Sequence, residues 1–130
     1  GVSDALVNST DLFATIMVMA GVDIDEAVPD AVTHDSVSFF AALSDPEGPS
    51  RRDWIYADEF FGGFEGVKTA DYAMRGERYK LLRFNGKEEF YDLDTDPYEY
   101  DNLLRGELST EQRTVYEALK AEVLLLRSSE

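Results

Sequence analysis

Asn85-Gly86 is the dipeptide that most limits what this chain can fold into. Both residues tolerate positive φ, so the pair suits a two-residue type I′ connection between antiparallel strands. The flanking runs are strand-like: Tyr79-Lys80-Leu81-Leu82-Arg83-Phe84 before the turn, Phe90-Tyr91-Asp92-Leu93 after it. Upstream, Tyr72-Ala73-Met74-Arg75 and the Tyr79 run flank Gly76-Glu77 in a second hairpin-like arrangement. Trp54-Ile55-Tyr56-Ala57 reads as a further strand of β-branched and aromatic residues. The expectation is an antiparallel meander of about four strands.

Helical periodicity brackets this meander. Ser109-Thr110-Glu111-Gln112 predicts a capping box, in which the Ser109 hydroxyl satisfies an orphan amide and Gln112 reaches back. Val115, Ala118, Leu119, Val123 and Leu126 then mark one apolar stripe, predicting a closing helix near 110–127 that needs one face of the meander as its partner. At the other end, Ser9-Thr10-Asp11 offers capping hydroxyls and a first-turn carboxylate. Leu12, Phe13, Ile16, Met17 and Ala20 follow at helical spacing and Gly21 stands where a helix commonly ends, which predicts a buried helix over 10–20. Residues 22–35, with Pro29 and several Asp, read as loop. Ser36 or Ser38 is expected to cap a short helix holding Phe39, Phe40 and Leu43, which Asp45-Pro46-Glu47-Gly48-Pro49 ends. The pattern is α+β: an antiparallel sheet packed by a C-terminal helix, with helices before it.

The charge balance excludes classes of partner. Twelve Lys and Arg stand against 27 Asp and Glu, a formal charge of -15 that repels phosphate backbones and anionic headgroups, so neither nucleic acid nor a membrane surface is expected. There is no Cys, hence no disulfide, thiolate metal site or Cys nucleophile. No apolar run approaches the roughly 20 residues of a membrane span. A start at Gly1 without an initiator Met is expected of an excised or processed segment.

The run Glu89-Phe90-Tyr91-Asp92-Leu93-Asp94-Thr95-Asp96-Pro97-Tyr98-Glu99-Tyr100-Asp101-Asn102-Leu103, read with Tyr79-Lys80-Leu81-Leu82, resembles the segment that closes the sequences of the sulfatase (arylsulfatase) family. Thr10-Asp11-Leu12-Phe13-Ala14-Thr15-Ile16 through Ala20-Gly21-Val22 is similar to that family's "asp-leu-phe-pro-thr … ala-gly" stretch, and Asp35-Ser36-Val37-Ser38-Phe39 with Leu43 to its "asp-gly-val-ser-leu … leu". Ala14 stands where Pro is usual and Ser36 where Gly is usual.

This resemblance implies a C-terminal subdomain of an alkaline-phosphatase-superfamily hydrolase, with a four-stranded antiparallel sheet and a helix packed against a large N-terminal catalytic domain. It implies a division into residues 1–50, a helical segment joining that large domain, and 51–130, the sheet and closing helix. The parent enzyme would carry Ca²⁺ and a formylglycine made from Cys or Ser in a Cys/Ser-x-Pro-x-Arg motif, and its setting would be periplasmic or secreted if it follows exported relatives. No catalytic, cofactor-binding or metal-binding residue is expected in this chain. Its role would be to complete the parent fold and part of the cleft rim. The alternatives are a freestanding acidic interaction module, the tail of a phosphonate or phosphodiester hydrolase of the same superfamily, or an independent small hydrolase using Asp carboxylates and His34.

Individual candidates mostly have plainer readings. Ser44-Asp45-Pro46-Glu47-Gly48 ends in Gly where the nucleophile motif needs Arg, and reads as a helix-ending turn. Asp92, Asp94 and Asp96 alternate like the start of a Ca²⁺ loop, but Pro97 and Leu103 occupy the positions that need Gly and Glu. His34, the single His, sits in a loop setting that permits a place on the parent's cleft rim, against an ordinary exposed or capping role. Phe60-Phe61-Gly62-Gly63-Phe64-Glu65-Gly66 reads either as a docking loop or as a long hairpin connection. Arg75, Tyr79, Lys80 and Tyr91 are expected in cross-strand packing rather than a nucleic-acid platform. Exposed apolar surface on 10–20 or 36–43 is expected to drive homo-oligomerisation.

Overall fold

Pairing of sequence neighbours organises residues 54–92. The computed structural model describes residues 1–60 and 70–128, so the Gly- and Phe-rich stretch 61–66 lies outside the described residues. The strands are β1 (Trp54–Phe60), β2 (Ala70–Gly76), β3 (Tyr79–Phe84) and β4 (Lys87–Asp92), in sheet order β1-β2-β3-β4. β2, β3 and β4 pair antiparallel, and the chain turns between β3 and β4 at Asn85 (φ 50°) and Gly86 (φ 76°). Two consecutive positive φ values are the type I′ geometry that the dipeptide predicts. The Asp71 carboxylate accepts the Asn85 amide at 3.0 Å and ties this turn to β2.

Strand alternation builds the core. Register places Met74 opposite Leu81 and Leu81 opposite Phe90, so the three side chains form a row across β2, β3 and β4, all fully buried. The closing helix α4 (Thr110–Ser128) buries Leu119 and Val123 and packs on β2 and β3. The Ser109 hydroxyl accepts the Gln112 amide at 3.2 Å and the Gln112 side chain accepts the Ser109 amide at 2.9 Å, which completes the capping box. The stripe differs from expectation at Ala118, which is exposed. Tyr116 has the larger role, meeting Phe90 edge-on with ring centroids 5.5 Å apart while Tyr79 stacks on Phe90 at 5.3 Å.

One carboxylate fastens α4 to the sheet. Glu88 of β4 accepts from the Tyr72 hydroxyl at 3.1 Å, the Tyr116 hydroxyl at 2.7 Å and the Lys120 ammonium at 2.9 Å. Burial pushes its pKa upward, but these donors outweigh that and hold it below the usual glutamate value.

β4 lies at an end of the sheet order, and its outer amides need partners. The segment after it supplies one for the Phe90 amide from a side chain. Asn102, itself buried, accepts the Phe90 amide at 3.2 Å and the Leu104 amide at 3.0 Å through the same oxygen, and starts the 3₁₀ turn Leu103–Arg105. The Arg78 guanidinium grips Asp92 at 2.9 and 2.7 Å, and the Leu93 amide donates to the Arg78 carbonyl at 2.8 Å. Asp96 accepts the Asp101 amide at 2.7 Å, and Lys80 holds both oxygens of Glu99 at 2.7 and 2.9 Å.

The chain divides into two compact units, Gly1–Ile55 and Tyr56–Glu130. The first holds α1 (Asp11–Met19), α2 (Ile24–Ala27) and α3 (Phe40–Ser44). Gly21 (φ 72°) ends α1 with a Schellman pair, its amide donating to the Val18 carbonyl and the Val22 amide to that of Met17, both at 3.0 Å. Two local expectations change, and the choice between Ser36 and Ser38 is decided. A single turn, α2, interrupts the predicted loop 22–35 because the Asp23 carboxylate caps the Asp25 amide at 3.0 Å. The Ser9 and Thr10 hydroxyls do not cap α1. Ser36 serves α1 rather than α3, while Ser38 accepts the Phe40 amide at 3.2 Å.

Asn102→Leu keeps the volume and removes the acceptor from a buried amide. It is expected to lower stability by about 1–3 kcal/mol, read as a fall in the urea midpoint with an unchanged slope.

Candidate functional site

Asp11 is the polar centre of the first unit. Its carboxylate, 1% exposed, accepts the Asn8 and Val37 amides at 2.8 Å each and the Arg52 Nε at 2.8 Å, with a second bond from Arg52 Nη2. Arg52 also donates to the Asp35 carbonyl. The Ser36 hydroxyl donates to the Thr10 carbonyl at 2.7 Å and accepts the Ala14 amide at 2.9 Å, and the Phe39 amide donates to the Thr15 hydroxyl at 3.1 Å. The strand-less stretch 35–39 is thereby laced to the buried face of α1. Burial pushes the Asp11 pKa up, yet Arg52 and the two amides outweigh it and hold the carboxyl below its usual value.

The opposite face of α1 is apolar and uncovered. Leu12, Ile16 and Met19, at i, i+4 and i+7, fall on one stripe and are 53%, 60% and 61% exposed, with Phe13 beside them. The sequence reads this helix as buried; only Asp11, Ala14 and Thr15 are buried within the unit. His34 is exposed at the edge of this surface, its ring edge-on to Phe13 at 6.2 Å between centroids and its chain neighbour Asp35 fixed by Arg52.

The alternating carboxylates are brought to different tasks. Asp92 faces Arg78, whose bonds hold its pKa below the usual value, and Asp96 faces backbone amides. Among the described residues no three His, Cys, Asp or Glu converge on a point that could hold a metal ion. No Ser-x-Pro-x-Arg or Cys precursor of formylglycine is present, so these residues do not fit that group or its Ca²⁺. Tyr79 and Tyr91 are buried, Tyr79 stacking on Phe90 of the neighbouring strand, while Lys80 is paired with Glu99 of the segment after β4. A shallow groove of about 250 Å³ beside β1–β3 is lined by apolar side chains, by the carboxylates of Asp58, Glu59 and Asp71 and by the guanidinium of Arg83, a balance that disfavours an anionic guest. No described helix is long and apolar enough to cross a membrane.

The family described as N-sulphoglucosamine sulphohydrolase, C-terminal, matches residues 1–129. The chain belongs to that family. As a sulfatase C-terminal domain it shares its fold with solved sulfatases. One is a putative sulfatase from Bacteroides thetaiotaomicron VPI-5482 (24% identity, TM-score 0.66, covering 88% of this chain and 24% of that one). Another was solved with its substrate D-glucosamine-2-N,6-O-disulfate (24% identity, TM-score 0.61, covering 86% and 23%). A third is a putative sulfatase from Bacteroides fragilis (21% identity, TM-score 0.57, covering 93% and 25%). The sulfatase C-terminal domain thus spans about a quarter of the length of these chains. No match is found among curated proteins.

Arg52→Gln leaves a buried carboxylate without its cation and is expected to cost the domain about 3 kcal/mol at neutral pH. Because the folded-state pKa of Asp11 is lowered, its contribution is complete above about 3.9, the ordinary aspartate value, and is lost as pH falls from there through the lowered value. The gap in urea midpoint between wild type and Arg52→Gln is therefore expected to narrow on acidification below about pH 4.

Proposed function

We propose that this domain completes a sulfuric ester hydrolase by seating the apolar stripe of α1 on a large catalytic domain that carries the formylglycine and Ca²⁺. The stripe of Leu12, Ile16 and Met19 carries the reading: three adjacent large apolar side chains, each more than half exposed, on a helix that is otherwise fixed. In this reading residues 1–50 join the large domain, residues 51–130 form the sheet-and-helix unit beside it, and the chain itself does no chemistry. The family description and the neighbour solved with a disulfated glucosamine support a sulfated amino sugar as the substrate of the whole enzyme. His34 stands on the cleft rim in this reading, supported by its exposure and by the anchoring of Asp35 next to it.

Two measurements test it. Ile16→Asp/Met19→Asp is expected to weaken binding of this chain to a separately produced catalytic domain at least about tenfold, with the far-ultraviolet circular dichroism unchanged. Unchanged binding would remove α1 as the docking surface. Turnover of an aryl sulfate by this chain alone would overturn the division of labour. With the stripe open, the isolated chain is also expected to self-associate through 10–20 or 36–43, where Phe40 and Leu43 are exposed. Sedimentation as a strict monomer at high concentration would contradict that.

A further inference from the structure

The exposed tyrosines of the acidic segment after β4 have no task in the fold. Tyr98 and Tyr100 are 75% and 81% exposed, with ring centroids 6.0 Å apart and planes inclined by 33°. Between them Glu99 adopts φ 61°, a left-handed conformation that a non-glycine residue keeps only where its surroundings enforce it. Lys80 supplies that enforcement by holding both Glu99 oxygens at 2.7 and 2.9 Å. Asp96 adds to it by accepting the Asp101 amide at 2.7 Å, and the Glu99 amide donates to the Asp96 carbonyl at 3.2 Å. The two rings therefore stand on a backbone that is already ordered, and a partner meeting them has little chain entropy to remove.

We propose that Tyr98 and Tyr100 form a docking platform for an arginine- or lysine-bearing segment of a protein partner. Charge decides among occupants. Residues 92–101 contain Asp92, Asp94, Asp96, Glu99 and Asp101 and no Lys or Arg. Arg78 pairs with Asp92 and Asp94 and Lys80 with Glu99, which leaves Asp96 and the exposed Asp101 to set the sign of the field around the rings. A cation over a tyrosine face is drawn by the ring quadrupole and by these carboxylates together. A sulfated sugar meets the same carboxylates as repulsion, and a second copy of this chain brings its own charge of -15. The platform lies in the second unit and α1 in the first, so this inference stands or falls independently of the docking proposed for α1.

The test titrates the 130-residue chain with an end-blocked tetra-arginine peptide by calorimetry at low salt, with tetra-lysine as a second cationic probe. Tyr98→Ser/Tyr100→Ser is expected to weaken tetra-arginine binding roughly tenfold, and Tyr98→Phe/Tyr100→Phe to keep it within about twofold, because the ring face and not the hydroxyl receives the cation. Asp101→Asn is expected to weaken binding and to flatten its salt dependence. A urea midpoint for the serine variant equal to wild type separates loss of the platform from loss of the fold. Equal peptide affinity for wild type and the serine variant would overturn the proposal, leaving only diffuse charge. So would binding of a neutral disaccharide such as cellobiose that the serine change abolishes while the peptide does not bind, or a dimer that the same change dissolves.

Discussion

The amide of Phe90 lies on the outer side of the last strand, and much of the second unit is arranged around giving it a partner. A fully buried aromatic residue cannot carry an unsatisfied backbone donor without losing much of what its burial contributes. A fifth strand would solve the problem; here one side-chain amide does. Asn102 must then be delivered to a fixed point, and the turns built on Asp92 and Asp96 deliver it. Part of the acidic composition of that segment thus has a mechanical origin: Asp92, Asp96 and Asn102 each accept from a backbone amide two to five residues on.

The first unit uses the same device in a different setting. Asp11 stands at the start of α1, yet its four donors come from the preceding turn, from residue 37 and from Arg52. The chain between 35 and 39 has no regular structure; its Val37 and Phe39 amides end on the side chains of Asp11 and Thr15 instead. Among the described residues no buried side-chain nitrogen or oxygen lacks a partner.

What could be read without coordinates was local. Asn85-Gly86, the Ser109/Gln112 box and Gly21 act through residues two to five positions away, and each has the geometry its chemistry predicts. Long-range partners were not legible. Asp11 reads as a first-turn carboxylate until Arg52, distant in sequence, folds against it, and Ser36 and Ser38 read alike as caps of the helix that follows until Ser36 is drawn to α1. The apolar spacing of α1 says which residues are large and greasy, and not that Leu12, Phe13, Ile16, Val18 and Met19 are all exposed while Asp11 is buried. Tyr116 escaped the apolar stripe because its hydroxyl makes it look like a surface residue, whereas its ring packs on Phe90 and its oxygen reaches Glu88. The family motif was recognisable as a string; that Asn102 caps a strand edge is visible only in three dimensions.

β2, β3 and β4 are linked by connections of two residues, Glu77-Arg78 and Asn85-Gly86. Closing such short loops sacrifices little chain entropy, and pairing one hairpin leaves the next strand already within reach. Zippering can therefore run through these strands in order, before any distant part of the polypeptide has found its place. A segment with that kinetic autonomy is portable: it can mature late on the ribosome, or be carried to a new neighbour by recombination, without relearning how to fold.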